Sequence, residues 1–571
     1  MGTPAPPRGS TFALWGTAGL PTAVAGFLAW RSSLGFDLRD GSYVIVLAQR
    51  VARGDVPLRD EASLHVLGSL PAVPFAWVWD EFMGSSGMIL AHRLYFVVLL
   101  SLFSLVTWAA LRPIFGAWPT TVGVSGAAFV LPYNLLVTSY SSMSTLAMTT
   151  ATAAAFRVMV RPSRRWVACL CISCLIAVAT FFVFALPAVV LVLGTIWSLK
   201  HNARESDEVA LRYRRLLSIF LIGSSTFAAI AVLIWWPIVM PVVRALISQR
   251  LSGFGPLDYL SFHLKEFFDI LTSSWTLVVA ACLALLASLP LRLVLLKETA
   301  LASLPWLVLL WSAHSGRPNS QEPTDGRYSG VVGLTLLLLL ALPVLVRWWP
   351  HLDPLPRSAV LVTGVAGSVG FLTVASFTAS MAAHGVPTGA ASGLIVLQLA
   401  AVMRVLSHSR FTATLLLVGV LAAFSASWLN VVFNEGPASG LQIHHTEGPL
   451  AGLTTGDAIS NDAYNFTAAL SSCTDDRDGL LIFDQPGVGV LTTKPLLADR
   501  VWMLDRGESS VASVTRKGLV PGCVVASERL IHAAPSTVSE FFARYTIVDN
   551  VKISPSPWPD VPTSFVIMSR N

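Results

Sequence analysis

Charged residues are scarce in this chain: Asp, Glu, Lys and Arg together make up 12% of its 571 residues, against 54% hydrophobic ones. Such a composition leaves too little polar surface to clothe a soluble globule, which points to an integral membrane protein. Long polar stretches are missing until residue 434, so no cytoplasmic break has room for a nucleotide-binding domain. A phosphate loop is lacking too, because "PGVGVLTTK" (486–494) does not have the G-x-x-x-x-G-K-[ST] spacing. The C-terminal part shows no catalytic triad and no metal-ligand spacing. Cysteines number six. Cys169, Cys171, Cys174 and Cys282 fall in apolar runs, where small buried thiols are a better reading than zinc or redox chemistry at Cys171-x-x-Cys174.

What the chain has instead is a series of apolar runs near the roughly 17–25 residues that a spanning helix needs. They fall at about 11–30, 89–111, 118–137, 141–160, 166–182, 184–198, 216–240, 275–296, 299–313, 329–346, 358–381, 388–406 and 411–433. The fold class expected is a polytopic α-helical membrane protein of about 13 transmembrane helices over 1–433, followed by a soluble α/β domain over 434–571. Whether 166–198 is one broken helix or two stays open. The opening run has no clear small-x-small cleavage site before the next loop and reads as a retained helix rather than a signal peptide.

The net charge of +6 is not a nucleic-acid signal, because the basic residues cluster in short breaks such as "RPSRR" (161–165) and "SHSR" (407–410). With the N-terminus inside, these clusters satisfy the positive-inside rule. Residues 31–88, 241–274, 314–328 and the C-terminal domain then face the extracytoplasmic side of a plasma membrane. In that oxidising compartment Cys473 and Cys523 suit a structural disulfide.

The loop after the first run, "FDLRDGSYVIVLAQRVARGDVPLRDEASLH" (36–65), carries four aspartates and a glutamate. Tyr43, Val46, Leu47 and Val51 recur at helical spacing, which predicts an amphipathic helix on the membrane surface. Asp40 precedes it at an N-cap position. It can cap the helix, or be held ionised there to take a proton from a substrate hydroxyl. The two roles are compatible.

The run from Asp40 through Tyr43, Ala48, Gly54 with Pro57, and Asp60 resembles the first extracytoplasmic loop of GT-C-fold glycosyltransferases that use polyprenyl-phosphate sugars. "SYSSMSTLAMTT" (139–150), with Tyr140, is similar to a Tyr/Ser helix entry in such enzymes, and "DGRYSGVV" (325–332) to an Arg-Tyr pair at the start of a late helix. The resemblance implies a GT-C-like fold and Asp40 as general base or metal ligand. Asp37 is the nearest rival, and Asp60 either lines the same cleft or closes a turn. An adjacent Asp-Asp pair, frequent in relatives, is missing from the loop, so a divalent Mg or Mn ion lacks its usual ligands.

Transfer from a lipid phosphate also needs positive charge for the leaving group. The expected donor-phosphate residues are Arg327, Arg93, Lys265 and Arg317, with Tyr328 as a hydrogen-bond donor; a guanidinium matches phosphate bidentately. Each arginine has an alternative as an interfacial anchor, and Arg327 can instead pair with Asp325. His65 is a further cleft candidate beside Tyr43, Asp325 and Tyr140, although a lone histidine more often serves structure. In the C-terminal part Trp502, Tyr545 and Trp558 suit sugar stacking or core packing.

The function expected is inverting transfer of a sugar from a polyprenyl-phosphate donor to an envelope glycan or glycolipid acceptor. The alternatives are a lipid or glycan transporter, an O-antigen-ligase-like enzyme and a non-catalytic envelope scaffold. A transporter should show repeats or charges within spans, and neither is evident.

Overall fold

The computed structural model describes residues 11–61, 65–129, 135–202, 208–234, 354–376, 437–473, 479–497, 508–554 and 562–570, together with isolated positions elsewhere. Four of the described helices are long and apolar enough to cross a bilayer, at Met88–Phe115, Tyr140–Val160, Phe182–His201 and Arg357–Ala375.

Helix α1 (Thr11–Arg31) leads into the acidic loop, which folds as α2 (Asp40–Ala52), α3 (His65–Ser69) and α4 (Val73–Met83) before α5 (Met88–Phe115). Next come α6 (Ala117–Ala127), α7 (Tyr140–Val160), α8 (Arg164–Thr180), α9 (Ala185–Asn202), α10 (Glu208–Ile234) and α11 (Pro354–Ala375). One boundary differs from the apolar runs. The run 118–137 is helical only to Ala127, and residues 135–139 are non-helical. Ser139 then starts α7 with a capping box in which Ser139 and Ser142 exchange side-chain-to-backbone bonds. The runs 166–182 and 184–198 fold as two helices, parted where Phe181 turns extended (φ −149°, ψ 101°) and Phe182–Phe184 form a 3-10 turn.

The amphipathic pattern of α2 does not mark a membrane-surface helix. Tyr43, Val44, Ile45, Val46 and Leu47 are all buried, and so are the polar Gln49 and Arg50. The reason lies more than 400 residues away: the turn Pro486–Leu491 packs along α2, while α3 and α4 cover its other side. Gly487 makes this approach feasible. Its N–H donates to the Leu38 carbonyl at 2.8 Å, and a Cβ there would sit 2.2 Å from the Leu38 carbonyl carbon.

The C-terminal region contains a four-stranded mixed sheet of order β3-β4-β6-β5, built from Leu480–Ile482, Cys523–Ser527, Ser564–Arg570 and Tyr545–Lys552. The shorter strands β1 (Ile443–His444) and β2 (Thr454–Thr455) form a separate antiparallel pair. Strand alternation divides the large sheet into two cores. Cys523, Val525, Phe565 and Ile567 join Phe466 of α12 (Asp457–Ser471) and the apolar residues of α2. Val524, Ala526, Val566 and Met568 pack instead with Val511, Val538 and Phe541. Cys473 and Cys523 are disulfide-bonded, with their Cα atoms 5.7 Å apart.

Candidate functional site

Where α1 ends and α5 begins, the chain closes a small cavity of about 20 Å³ lined by Arg31, Leu34, Gly35, Asp37, Gly41, Arg93, Leu135–Val137 and Val432. That volume admits about one water molecule. Three of its lining side chains, Arg31, Asp37 and Arg93, are charged, and each of them, like Glu435 nearby, is held by backbone. Arg93 Nη1 donates to the carbonyls of Ser32 (3.0 Å), Leu34 (3.2 Å) and Gly35 (2.7 Å). Arg31 reaches the carbonyls of Trp428 (3.0 Å) and Leu34 (3.1 Å), and its guanidinium lies over the Trp428 ring. Asp37 Oδ1 accepts from the N–H groups of Arg39 (2.8 Å) and Gly41 (3.2 Å). Glu435 accepts from Phe36 N–H through one oxygen and from Gly456 N–H (2.6 Å) through the other. Both carboxylates attract Arg93.

The start of α2 therefore differs from the expected N-cap. Asp40 is the first residue inside the helix, the capping position falls to Arg39, and the carboxylate on the first N–H groups belongs to Asp37. Asp37, three residues before the helix, is near enough for its side chain to fold back onto these N–H groups. The side chain of Asp40 lies outside the described residues. Its backbone stands next to Gly41, which lines the cavity.

Asp60 does not line this cavity. It closes the turn after Pro57, accepting from Val56 N–H (2.8 Å), and pairs with Arg59 (2.7 Å) and with Lys517 of the C-terminal region (3.6 Å). Burial opposes its charge, but these donors prevail and hold the carboxyl below its usual range. Nearby, Arg50 is buried between Asp55 (2.6 Å), Glu61 (2.6 Å) and the Asp60 carbonyl (2.8 Å), which locks the end of α2 to the same turn.

The three aromatic candidates come together. His65 stacks on Tyr140 (ring centroids 4.4 Å, 6° between planes), and Tyr43 meets His65 edge-on at 5.8 Å. Burial pushes the His65 imidazole down to about 4, so it is neutral at physiological pH and does not serve as a cation for phosphate. Lys265 is exposed. Arg317, Asp325, Arg327 and Tyr328 lie outside the described residues.

Two residues of the site were not singled out by sequence reasoning. In the sequence Arg31 is one basic residue just after the first apolar run. Glu435 stands two residues beyond the last apolar run, a lone acid beside a membrane boundary, and that position was its only signal. Burial pushes its carboxyl up to about 7, against the pull of its two N–H donors and Arg93.

Among the described residues no three His, Cys, Asp or Glu side chains converge as a metal site. Both Glu435 oxygens and Asp37 Oδ1 are turned to backbone N–H groups. This donor set does not fit a resident Mg or Mn ion, and no step below passes through one.

No protein-family model and no curated protein matches the chain. Solved structures similar to it include two of one protein. ArnT from Cupriavidus metallidurans bound to undecaprenyl phosphate is 12% identical, with 98% of each chain covered and a TM-score of 0.46. The same protein in the apo state is 12% identical over 97% of this chain and 98% of that one, with a TM-score of 0.43.

Proposed function

We propose that the chain is a membrane glycosyltransferase that moves a sugar from a polyprenyl-phosphate donor to a hydroxyl of an extracytoplasmic envelope glycan or glycolipid. The observation that supports this reading is the charged cluster where α1 meets α5: the Asp37 carboxylate and the Arg31 and Arg93 guanidiniums gather there, with Glu435 nearby, beside the first residue of α2, in a chain otherwise built to sit in lipid.

In this reading about 13 helices span the plasma membrane, and the C-terminal α/β part, residues 434–571, faces the same extracytoplasmic side as the first loop. Asp40 is the base. Its carboxylate takes the proton of the acceptor hydroxyl as the oxygen attacks the anomeric carbon, the bond from that carbon to the phosphate oxygen breaks, and the lipid phosphate leaves with the electron pair. One displacement of this kind inverts the anomeric centre. Asp37 is less suited to accept the proton, because two N–H groups already stabilise its charge and lower its basicity. Its work is to hold the start of α2. Arg93, with Arg327 from the 314–328 loop, balances the charge on the leaving phosphate; a buried guanidinium stays protonated throughout.

The test is release of lipid phosphate by purified protein from a panel of polyprenyl-phosphate sugars, undecaprenyl and decaprenyl carriers included, with the Asp40→Asn variant in parallel. Sugar transfer that Asp40→Asn abolishes while the protein stays folded supports the reading. No transfer from any carrier, or transfer unchanged in the variant, contradicts it.

A further inference from the structure

The segment 32–37, which delivers Asp37 to the cavity and leads into α2, has almost no secondary structure of its own, and three separate parts of the chain hold it. Arg93 of α5 gathers the carbonyls of Ser32, Leu34 and Gly35. Thr454 pairs with it through backbone: Gly35 N–H donates to the Thr454 carbonyl (2.8 Å), and Thr454 N–H to the Ser33 carbonyl (2.7 Å). Glu435 supplies the third hold and joins the other two parties. One of its oxygens takes Phe36 N–H and the other takes Gly456 N–H, while its charge faces Arg93. Gly35 (φ +74°) is pressed against this corner, since a Cβ there would lie 2.1 Å from Val432 and 3.3 Å from Glu435 Oε1.

We infer that Glu435 is a positioning residue: its carboxylate clamps the 33–37 turn to Gly456, and so fixes where Asp37 and the first turn of α2 stand relative to Arg93. A carboxylate suits the task because both N–H groups need acceptors and the site already holds the positive charge of Arg31 and Arg93. A glutamine offers one acceptor oxygen and sets an NH2 group against the other N–H. The bond to Gly456 also ties the start of α12 to the membrane part, which makes the C-terminal region a structural component of the site.

The clamp is independent of the reaction, whereas its catalytic consequence rests on the glycosyl-transfer reading, so two measurements separate them. The first is amide hydrogen exchange on the full-length protein in detergent, comparing wild type with Glu435→Gln and Glu435→Ala. Exchange of the Phe36 and Gly456 amides should rise about tenfold or more, followed by the Arg39 and Gly41 amides held by Asp37, with the α7 amides unchanged. Wild-type exchange over 33–41 in both variants would overturn the clamp. Should Glu435→Ala not fold, Glu435→Gln, which keeps volume and one acceptor, carries the comparison. The second is steady-state kinetics with the carrier found active. In Glu435→Gln kcat should fall about tenfold or more with KM within about twofold, because a misplaced base harms the transition state more than binding. Faster exchange together with wild-type kcat would overturn the positioning role. A wild type with no transfer activity would count against the glycosyl-transfer reading, while the exchange data would still decide the clamp.

Discussion

Replacing Gly487 by alanine probes how the C-terminal region holds the acidic loop. The new Cβ would stand 2.2 Å from the Leu38 carbonyl carbon, 2.3 Å from its oxygen and 2.7 Å from its Cα. Carbon atoms in ordinary contact stay roughly 3.5–4.0 Å apart, so the two backbones must part by more than about 1 Å. Neither is a flexible side chain end that can swing aside. Overpacking of this kind costs about 1–3 kcal/mol. The Gly487 N–H bond to Leu38, 2.8 Å long, is lost as well, adding about 1 kcal/mol. The expected destabilisation is therefore about 2–4 kcal/mol, read by thermal or denaturant unfolding of the purified protein in detergent. Leu38 lies between Asp37 and Asp40, so the same shift displaces the loop of the proposed base. A 1 Å misplacement of catalytic groups can cost about a hundredfold in rate. Gly440→Ala is the control, since its Cβ meets open space, and it should stay within about 0.5 kcal/mol of wild type. If Gly487→Ala matched Gly440→Ala in stability and activity, the packing of the Pro486–Leu491 turn on this loop would be wrong.

Other outcomes follow from the same geometry. Arg50→Met removes the buried partner of Glu61, which is 1% exposed, and of Asp55. It should destabilise the protein by about 3 kcal/mol or more, seen as a lower unfolding midpoint; an unchanged midpoint would show that the ion pairs contribute nothing. Two buried groups give pH trends of opposite sign. The His65 imidazole is depressed to about 4 from its ordinary 6.5, so the unfolded chain binds the extra proton and His65 contributes stability above pH 6.5 that is lost as pH falls toward 4. The Glu435 carboxyl is raised from 4.5 to about 7, so here the folded chain binds the extra proton and stability falls as pH rises from 4.5 to 7. Subtracting the unfolding profile of His65→Phe from that of wild type should give a curve that climbs between pH 4 and 6.5. The same subtraction with Glu435→Gln should give one that descends between 4.5 and 7. Flat difference curves would mean that neither group is buried as described.

Local pattern carried the sequence reading as far as local physics reaches. Apolar length alone marks runs such as 89–111 and 141–160, which fold as the long helices Met88–Phe115 and Tyr140–Val160. The spacing of Tyr43, Val46 and Leu47 correctly indicated a helix, but it could not say what covers the apolar side. A membrane surface and the Pro486–Leu491 turn demand the same periodicity, and only the long-range fold distinguishes them. The bonds that Asp37 makes to the Arg39 and Gly41 N–H groups were not foreseen for a similar reason, because the helix starts one residue earlier than its polar entry suggests. Arg93 was legible as a cation at the start of a long apolar run, yet three carbonyls from one turn converge on it, which no spacing announces. Glu435 was the hardest to see: its partners Phe36 and Gly456 lie 399 and 21 residues away, and a single acid past a span has no motif.

The most direct test of the central claim is the yield of free polyprenyl phosphate when purified wild-type protein and Asp40→Asn are incubated with undecaprenyl-phosphate and decaprenyl-phosphate sugars and an envelope glycan acceptor. The account predicts acceptor-dependent release of lipid phosphate, with inverted sugar in the product, for wild type. It predicts a loss of at least about a hundredfold for a folded Asp40→Asn, the size expected of a missing general base. Equal release by both proteins, or none by either, would contradict it.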